Sequence, residues 1–276
     1  MLYEFRKLYA DLAAEDGTFL VLYLNRIKLG GWQLRGSVEV YLPDGRHETL
    51  QGRPEDLALD LAAPLPGAPL RLALDGGGTF ELKPEVVHGE WVPAVPCPVA
   101  PLQWRVKAAR ARMVARWSGA GAGGERVLRG QGYVDLVRIT RATRMLGLRT
   151  LHWGRAHLSG GRTVIFEDLT LADGRRWTVV LDEPGGDVAD SAGAVALEPG
   201  GEGTVWLRAG ELMKLAPSRV LHEGNAFGAD RIPGRLDRAL CEAVGGPTWQ
   251  VRWFGEASCG ALKGPAVWER VQFGGQ

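Results

Sequence analysis

Two short stretches carry the residue types that proton chemistry needs. The first is Gly132-Tyr133-Val134-Asp135. Its tyrosine and aspartate are two apart, so on a strand they share one face. The second is Leu151-His152-Trp153-Gly154-Arg155-Ala156-His157-Leu158, where Trp153, Arg155 and His157 share a face in the same way. Hydrating or cyclising an alkene needs a proton donor, a surface that stabilises a cation, and control of water. A carboxyl held in an apolar wall keeps its proton near neutrality, and aromatic faces attract cations. Asp135 is therefore the first candidate catalytic acid. Glu167 is the second, on a stretch where Ile165, Leu169 and Leu171 share its face. Tyr133, Trp153, Arg155, His157 and His152 are candidate ligand-binding residues.

Each of these has a plainer structural reading. Arg138 and Arg155 are competing ion-pair partners for Asp135. Trp153 suits an ordinary core, His157 a buried structural histidine and Glu167 a barrel rim. The run Arg105 to Arg116, with five Arg or Lys, reads as a solvated face. His152 and His157 are five apart, which puts them on opposite faces of a strand, so no metal site is expected. No Gly-x-Ser-x-Gly elbow, Walker loop or His-Glu-x-x-His occurs. The glycine-rich loops do not open helices, so no nucleotide cofactor is expected.

The elements that must position these residues read mostly as short strands. Thr18 to Leu24 follows a turn at Glu15-Asp16-Gly17, and Leu34 to Tyr41 alternates with period two. Pro43-Asp44-Gly45-Arg46 is a turn. Leu57 to Leu61, Leu70 to Leu74 and Thr79 to Leu82 are further short strands. Gln103 to Trp117 has helix-permitting composition, but its alternation breaks near Ala108-Ala109. That fits a strand with a bulge, and Gly119 to Gly124 then reads as a hairpin loop. Strands follow at Gly132 to Ile139, Arg149 to Leu158, Thr163 to Leu171, Arg175 to Leu181, Thr248 to Phe254 and Val267 to Phe273. Asp173-Gly174-Arg175 repeats the earlier Asp-Gly-Arg turn, a hint of duplication. The one helix expected is Pro233 to Val244, capped by Gly245-Gly246.

Such a series of short strands points to an all-β fold of barrels or sandwiches. The 276 residues suffice for one large domain or two small ones. Val92 to Pro101 holds four prolines in ten residues and reads as a linker, because proline cannot serve a central strand. The expected division is 1–92, a linker at 93–101, and 102–276. With 39 Gly and ten Trp, the composition favours many tight turns and large aromatic packing surfaces. Thirty-three Lys and Arg balance 32 Asp and Glu. This near neutrality argues against nucleic-acid binding; contact with a membrane surface is allowed but not required. Cys97, Cys241 and Cys259 read as reduced thiols, with a Cys241–Cys259 bridge as the alternative. No apolar leader and no apolar run of about 20 residues is seen, so a cytoplasmic protein is expected.

The Gly132–Asp135 and Trp153-Gly154-Arg155-Ala156 elements, with the terminal Gly264-Pro265-Ala266-Val267-Trp268-Glu269, resemble the hydroxyneurosporene synthase (carotenoid 1,2-hydratase) and AttH-like superfamily. The resemblance covers the second half better than the first. Two features depart from it: Leu136-Val137-Arg138-Ile139 follows the aspartate, and Glu4-Phe5-Arg6-Lys7 stands at the opening. The resemblance implies two lipocalin-like antiparallel barrels in tandem. It also implies a lipophilic small-molecule partner, since proteins of this kind act on polyenes, prenylated quinols and polyketides as hydratases, cyclases and cycloaddition catalysts. The expectation is an enzyme acting on an isoprenoid, polyene or polyketide in an apolar pocket. The alternative is a non-catalytic carrier of a lipophile. The oligomeric state is left open.

Overall fold

The computed structural model describes residues 3–28, 36–54, 69–93, 97–119, 124–183, 186–189, 194–207, 210–228, 231–232 and 235–274. Two compact units are present. One comprises Met1–Val92 and Pro101–Arg141, the other Pro93–Ala100 and Ala142–Gln276.

The first unit is a closed antiparallel barrel of eight strands: β1 Glu4–Ala14, β2 Phe19–Lys28, β3 Gly36–Tyr41, β4 His47–Pro54, β5 Leu70–Leu74, β6 Thr79–His88, β7 Leu102–Ser118 and β8 Arg126–Ile139. Each strand pairs with the next, and β8 returns to β1. The first barrel therefore extends past the proline-rich stretch, and β7 and β8 belong to it rather than to the second half. The physical reason is closure. Six strands would leave β1 and β6 with unpaired edges, and β7 and β8 cover both. Tyr133 and Asp135 go with them into the first unit.

β7 is a strand, and its register against β8 shifts at Val106/Ala108 and again at Ala108/Ala111. These irregularities lie where the alternation of the sequence breaks. Among the described residues the barrel core is built from apolar side chains such as Leu8, Leu22, Leu72, Phe80, Trp117 and Leu136. The strand expected at Leu57 to Leu61 lies outside the described residues, as do Leu34 and Arg35, the linker residues 94–96 and the loop residues 120–123.

The second unit has nine strands: β9 Leu148–His157, β10 Thr163–Leu171, β11 Arg176–Glu183, β12 Gly186–Ala189, β13 Val195–Leu197, β14 Gly203–Trp206, β15 Leu212–Asn225, β16 Thr248–Cys259 and β17 Leu262–Phe273. They form one antiparallel sheet in the order β12-β11-β10-β9-β17-β16-β15-β14-β13. The sheet curls so that Val180 of β11 and Val195 of β13, from opposite ends, share one core with Phe166, Trp253 and Trp268. Helix α1, Arg235–Gly245, precedes β16, and Gly246 follows it with φ +75° as a left-handed cap. Pro233 and Gly234 lie outside the described residues. The architecture is all-β, two lipocalin-like antiparallel barrels with one short helix near the C-terminus. No helix among the described residues is long and apolar enough to cross a membrane.

The two Asp-Gly-Arg turns are alike in detail. Asp44 and Asp173 each accept the backbone N–H of the arginine two residues on, both at 3.0 Å, and pair with its guanidinium. Gly45 and Gly174 both take φ +87°. Gly154 has a different constraint: a Cβ there would lie 2.4 Å from Cζ of Phe166 and 2.7 Å from Cβ of Trp268. Its cross-strand neighbours on both sides are aromatic and lie over it.

A buried carboxylate helps hold the second barrel's open edges together. Asp168 accepts both Nε and Nη2 of Arg176, at 2.5 and 2.9 Å, and the Thr178 hydroxyl at 2.6 Å. His152 Nδ1 lies 3.2 Å away. Arg176 Nη2 also donates to the carbonyl of Val195 at 2.7 Å, which spans from β11 to β13. Burial raises the Asp168 carboxyl, but the bonds from His152, Arg176 and Thr178 outweigh it and hold the group below the ordinary range. The linkage follows in sign: a depressed folded pKa gives stability that is complete above the unfolded value, about 4, and is lost as pH falls through the folded one. Asp168→Asn is expected to cost about 3 kcal/mol at neutral pH. In urea titrations the gap between wild type and variant should narrow below about pH 4; a gap independent of pH would contradict this role.

Candidate functional site

Apolar packing fills most of the inward side of each barrel, with the Asp168 cluster on the inward side of the second, and many further polar residues are buried on the outward faces. In β1, residues Leu8, Ala10 and Leu12 point inward. Tyr9 and Asp11 point the other way and are also buried. Tyr133 and Asp135 do the same in β8. The registers pair Tyr9 with Tyr23 and Asp135, and Asp11 with Val21 and Tyr133.

Three tyrosine–carboxylate pairs recur on this face, each two residues apart on one strand. Tyr9 donates to Asp11 Oδ2 at 3.0 Å, Tyr133 to Asp135 Oδ2 at 3.0 Å, and Tyr41 to Glu39 Oε2 at 2.6 Å. The spacing follows from the pleat, which brings residues i and i+2 to one face. The energetic reason is that a buried carboxyl without donors would be costly. Asp135 receives a second donor: Trp104 Nε1 reaches the same Oδ2 at 3.0 Å. Trp91 packs edge-on against Trp104 at 5.2 Å, and the Tyr9 and Tyr133 ring centres are 6.1 Å apart. Lys7 Nζ lies 6.0 Å from the Tyr9 ring centre and 5.9 Å from that of Tyr23. Asp135 thus sits among aromatic rings with one oxygen held by two donors. Arg138 turns to Glu4 instead of Asp135.

The other candidates lie in the second unit. Trp153, Arg155 and His157 are on the outward face of β9, and Glu167 is on that of β10, all buried. In register, Trp153 stands between Glu167 on β10 and Glu269 on β17. Arg155 stands between Ile165 and Val267, and His157 opposite Thr163. His152 faces the other side of the sheet and belongs to the Asp168 cluster. Cys97 registers the nearby Glu167 charge. Burial chiefly pushes its thiol up, to about 11, with Glu167 adding to the rise, so it is a poor nucleophile. All three cysteines are free thiols.

A polar node here was not foreseen from the sequence. Glu269 Oε2 accepts Arg252 Nε at 2.9 Å, Arg252 Nη2 at 2.5 Å and Gln250 Nε2 at 2.6 Å. Arg231 in turn donates to Gln250 Oε1. The node fixes a carboxylate beside Trp153. Glu269 was visible in the terminal motif, but its partner is 17 residues away, and only the β16–β17 register joins them.

No family model matches the sequence, and no curated protein matches it. Solved structures do. CghA crystallised with Sch210972 superposes with TM-score 0.61 at 12% identity, covering 98% of this chain and 89% of that one. A second crystal structure of CghA gives the same score and identity over 99% and 89%. An AttH-like protein from Nitrosomonas europaea gives 0.55 at 13% identity over 98% and 92%. The chain shares their tandem-barrel fold. At such identities the likeness extends to fold and not to residue roles.

The buried Arg252–Glu269 pair is expected to behave non-additively. Glu269→Gln alone should destabilise by about 3 kcal/mol, because it leaves a buried guanidinium without its counter-charge. Arg252→Met with Glu269→Leu should recover most of that loss. Denaturant melts of the two variants check this, and a double variant no more stable than Glu269→Gln would contradict it.

Proposed function

We propose that the protein catalyses an acid-assisted hydration or cyclisation of a lipophilic isoprenoid, polyene or polyketide. Asp135 is the proton donor. The observation that carries this reading is the Asp135 carboxyl, buried among aromatic rings, with Tyr133 O–H and Trp104 N–H both aimed at Oδ2. In the neutral acid Oδ2 is the carbonyl oxygen, which accepts both bonds, and Oδ1 carries the transferable proton.

The chemistry then follows in order. The Oδ1–H bond breaks and a C–H bond forms at one alkene carbon. The neighbouring carbon becomes a cation, which the faces of Tyr9 and Tyr133 stabilise. In hydration, water adds to the cation and its surplus proton returns to Asp135. In cyclisation, a second alkene of the same substrate adds instead, and a proton lost from the ring returns to Asp135. No cofactor enters either course. Glu167, beside Trp153 and with Arg155 and His157 on the same unit, is the second candidate acid.

The motif resemblance and the shared fold support the reading. The motif resemblance to hydroxyneurosporene synthase points to a polyene hydratase. The fold shared with CghA, crystallised with Sch210972, supports a ligand-handling role.

The test is incubation of purified protein with acyclic isoprenoid polyenes and polyene-bearing polyketides, read by mass spectrometry. Gain of one water marks hydration, and an isomer of unchanged mass marks cyclisation. Asp135→Asn should lower the rate about 100-fold or more while leaving the circular dichroism spectrum intact. Undiminished turnover in that variant would exclude Asp135 as the acid. Tight binding of a polyene by wild type with no product would favour the carrier.

A further inference from the structure

Asp11 takes no part in the steps at Asp135, yet it is fully buried on the same outward wall. The register joins the two carboxyls in one block. Asp11 of β1 stands opposite Tyr133 of β8, and Tyr9 of β1 stands opposite Asp135. Each tyrosine donates to the aspartate two residues along its own strand, at 3.0 Å in both cases. The four side chains form a square with the tyrosines on one diagonal and the carboxyls on the other. The tyrosine diagonal measures 6.1 Å between ring centres. Diagonal neighbours on adjacent strands lie about 7 Å apart. All four residues are at most 4% exposed, so the carboxyls act on each other through protein and not through water.

Two carboxyls this close in a buried wall do not ionise independently. Two unit charges about 7 Å apart, at an effective dielectric of about 20, raise the second ionisation by roughly one to two pH units. Tyr133 and Trp104 both donate to Asp135 and by themselves favour its ionised form. A proton donor at that position needs a counterweight, and a negative Asp11 supplies one. The other charged and titratable groups facing the square, among the described residues, lie on the strands around it. Lys7 stands 6.0 Å from the Tyr9 ring centre and 5.9 Å from that of Tyr23. Glu39, bonded by Tyr41, is separated from Asp11 by Val21 of β2. On β7, Arg110 lies across from Tyr133 in the irregular stretch, and Lys107 pairs with Glu90 at 3.1 Å. These cations favour a first negative charge in the square. The repulsion between the carboxyls governs the second.

We propose that Asp11 and Asp135 hold one proton between them near neutral pH, with Asp11 ionised and its charge keeping the proton on Asp135. The inference rests on the reading of Asp135 as the acid. Asp11 is then a positioning residue: it touches no reacting atom and acts by setting where the proton resides.

Isotope-edited infrared titration of the aspartate carboxyls in the full-length protein, without substrate, tests the inference. The wild type should release the two protons in separate steps at least about one pH unit apart, with one carboxyl still protonated near neutrality. Asp11→Asn keeps an oxygen for the Tyr9 bond and removes the charge. Its Asp135 should titrate in one step, at least about one pH unit below the upper wild-type step. The alkaline limb of kcat/KM should move down with it, because activity is lost as pH rises through the ionisation of the acid. Asp135→Asn should likewise leave Asp11 a single step below the upper wild-type one, so either variant serves if the other fails to fold. An upper step that stays in place in the variants would overturn the inference while leaving Asp135 the acid. Steps that move as expected, with turnover undiminished in Asp135→Asn, would uphold the shared proton and overturn the catalytic reading instead. No protonated carboxyl near neutral pH would overturn both.

Discussion

Strands buried on both faces impose the constraint from which the rest of the structure follows. An ordinary barrel strand sends apolar side chains inward and polar ones to water. Here β1, β8, β9, β10, β16 and β17 bury outward-facing residues as well, and these include Asp11, Asp135, Arg155, Glu167, Arg252 and Glu269. Buried polar groups need partners. On the outward faces they find them two residues along the same strand, as Tyr133 does with Asp135. They also find them one strand over, as Arg252 does with Glu269. In the first barrel the buried Tyr9, Asp11, Tyr133 and Asp135 therefore lie on the outward wall.

The same constraint divides the candidate residues. Asp135 and Tyr133 belong to the first barrel because closing it requires β7 and β8. Trp153, Arg155, His157 and Glu167 belong to the second. Within each set the arrangement is rigid for a local reason. Asp135 is held by a tyrosine of its own strand and a tryptophan of the adjacent β7. Trp153 is fixed in a row with Glu167 and the Arg252-bound Glu269. A positioned acid beside aromatic faces is the minimum apparatus for protonating an alkene and holding the resulting cation.

Much of this was legible in the residues because strands report their own period. β3 and β5 alternate in sequence, and the break near Ala108 marks the double register shift of β7. β1 was not legible for the reason that makes it important. Glu4-Phe5-Arg6-Lys7-Leu8-Tyr9-Ala10-Asp11 buries residues of both parities, so no polar face alternates with an apolar one. β12 to β14 are three or four residues long, too short for a period to show. The two strands after the proline-rich stretch return to the first barrel. Proline signals where pairing stops and not which sheet the chain joins next. The Tyr-x-Asp spacing at Tyr133 placed both groups on one face correctly. The Trp104 donor and the Arg252 partner depend on inter-strand register, which the local pattern does not contain.

The central claim is that lipophile chemistry takes place at the outward-facing carboxyl of β8 and not in a conventional barrel interior. A crystal structure of the protein soaked with an acyclic polyene tests it most directly. The account predicts electron density for the polyene against Asp135 and Tyr133. Density lodged among Leu8, Leu22 and Leu136, inside the first barrel, would contradict it.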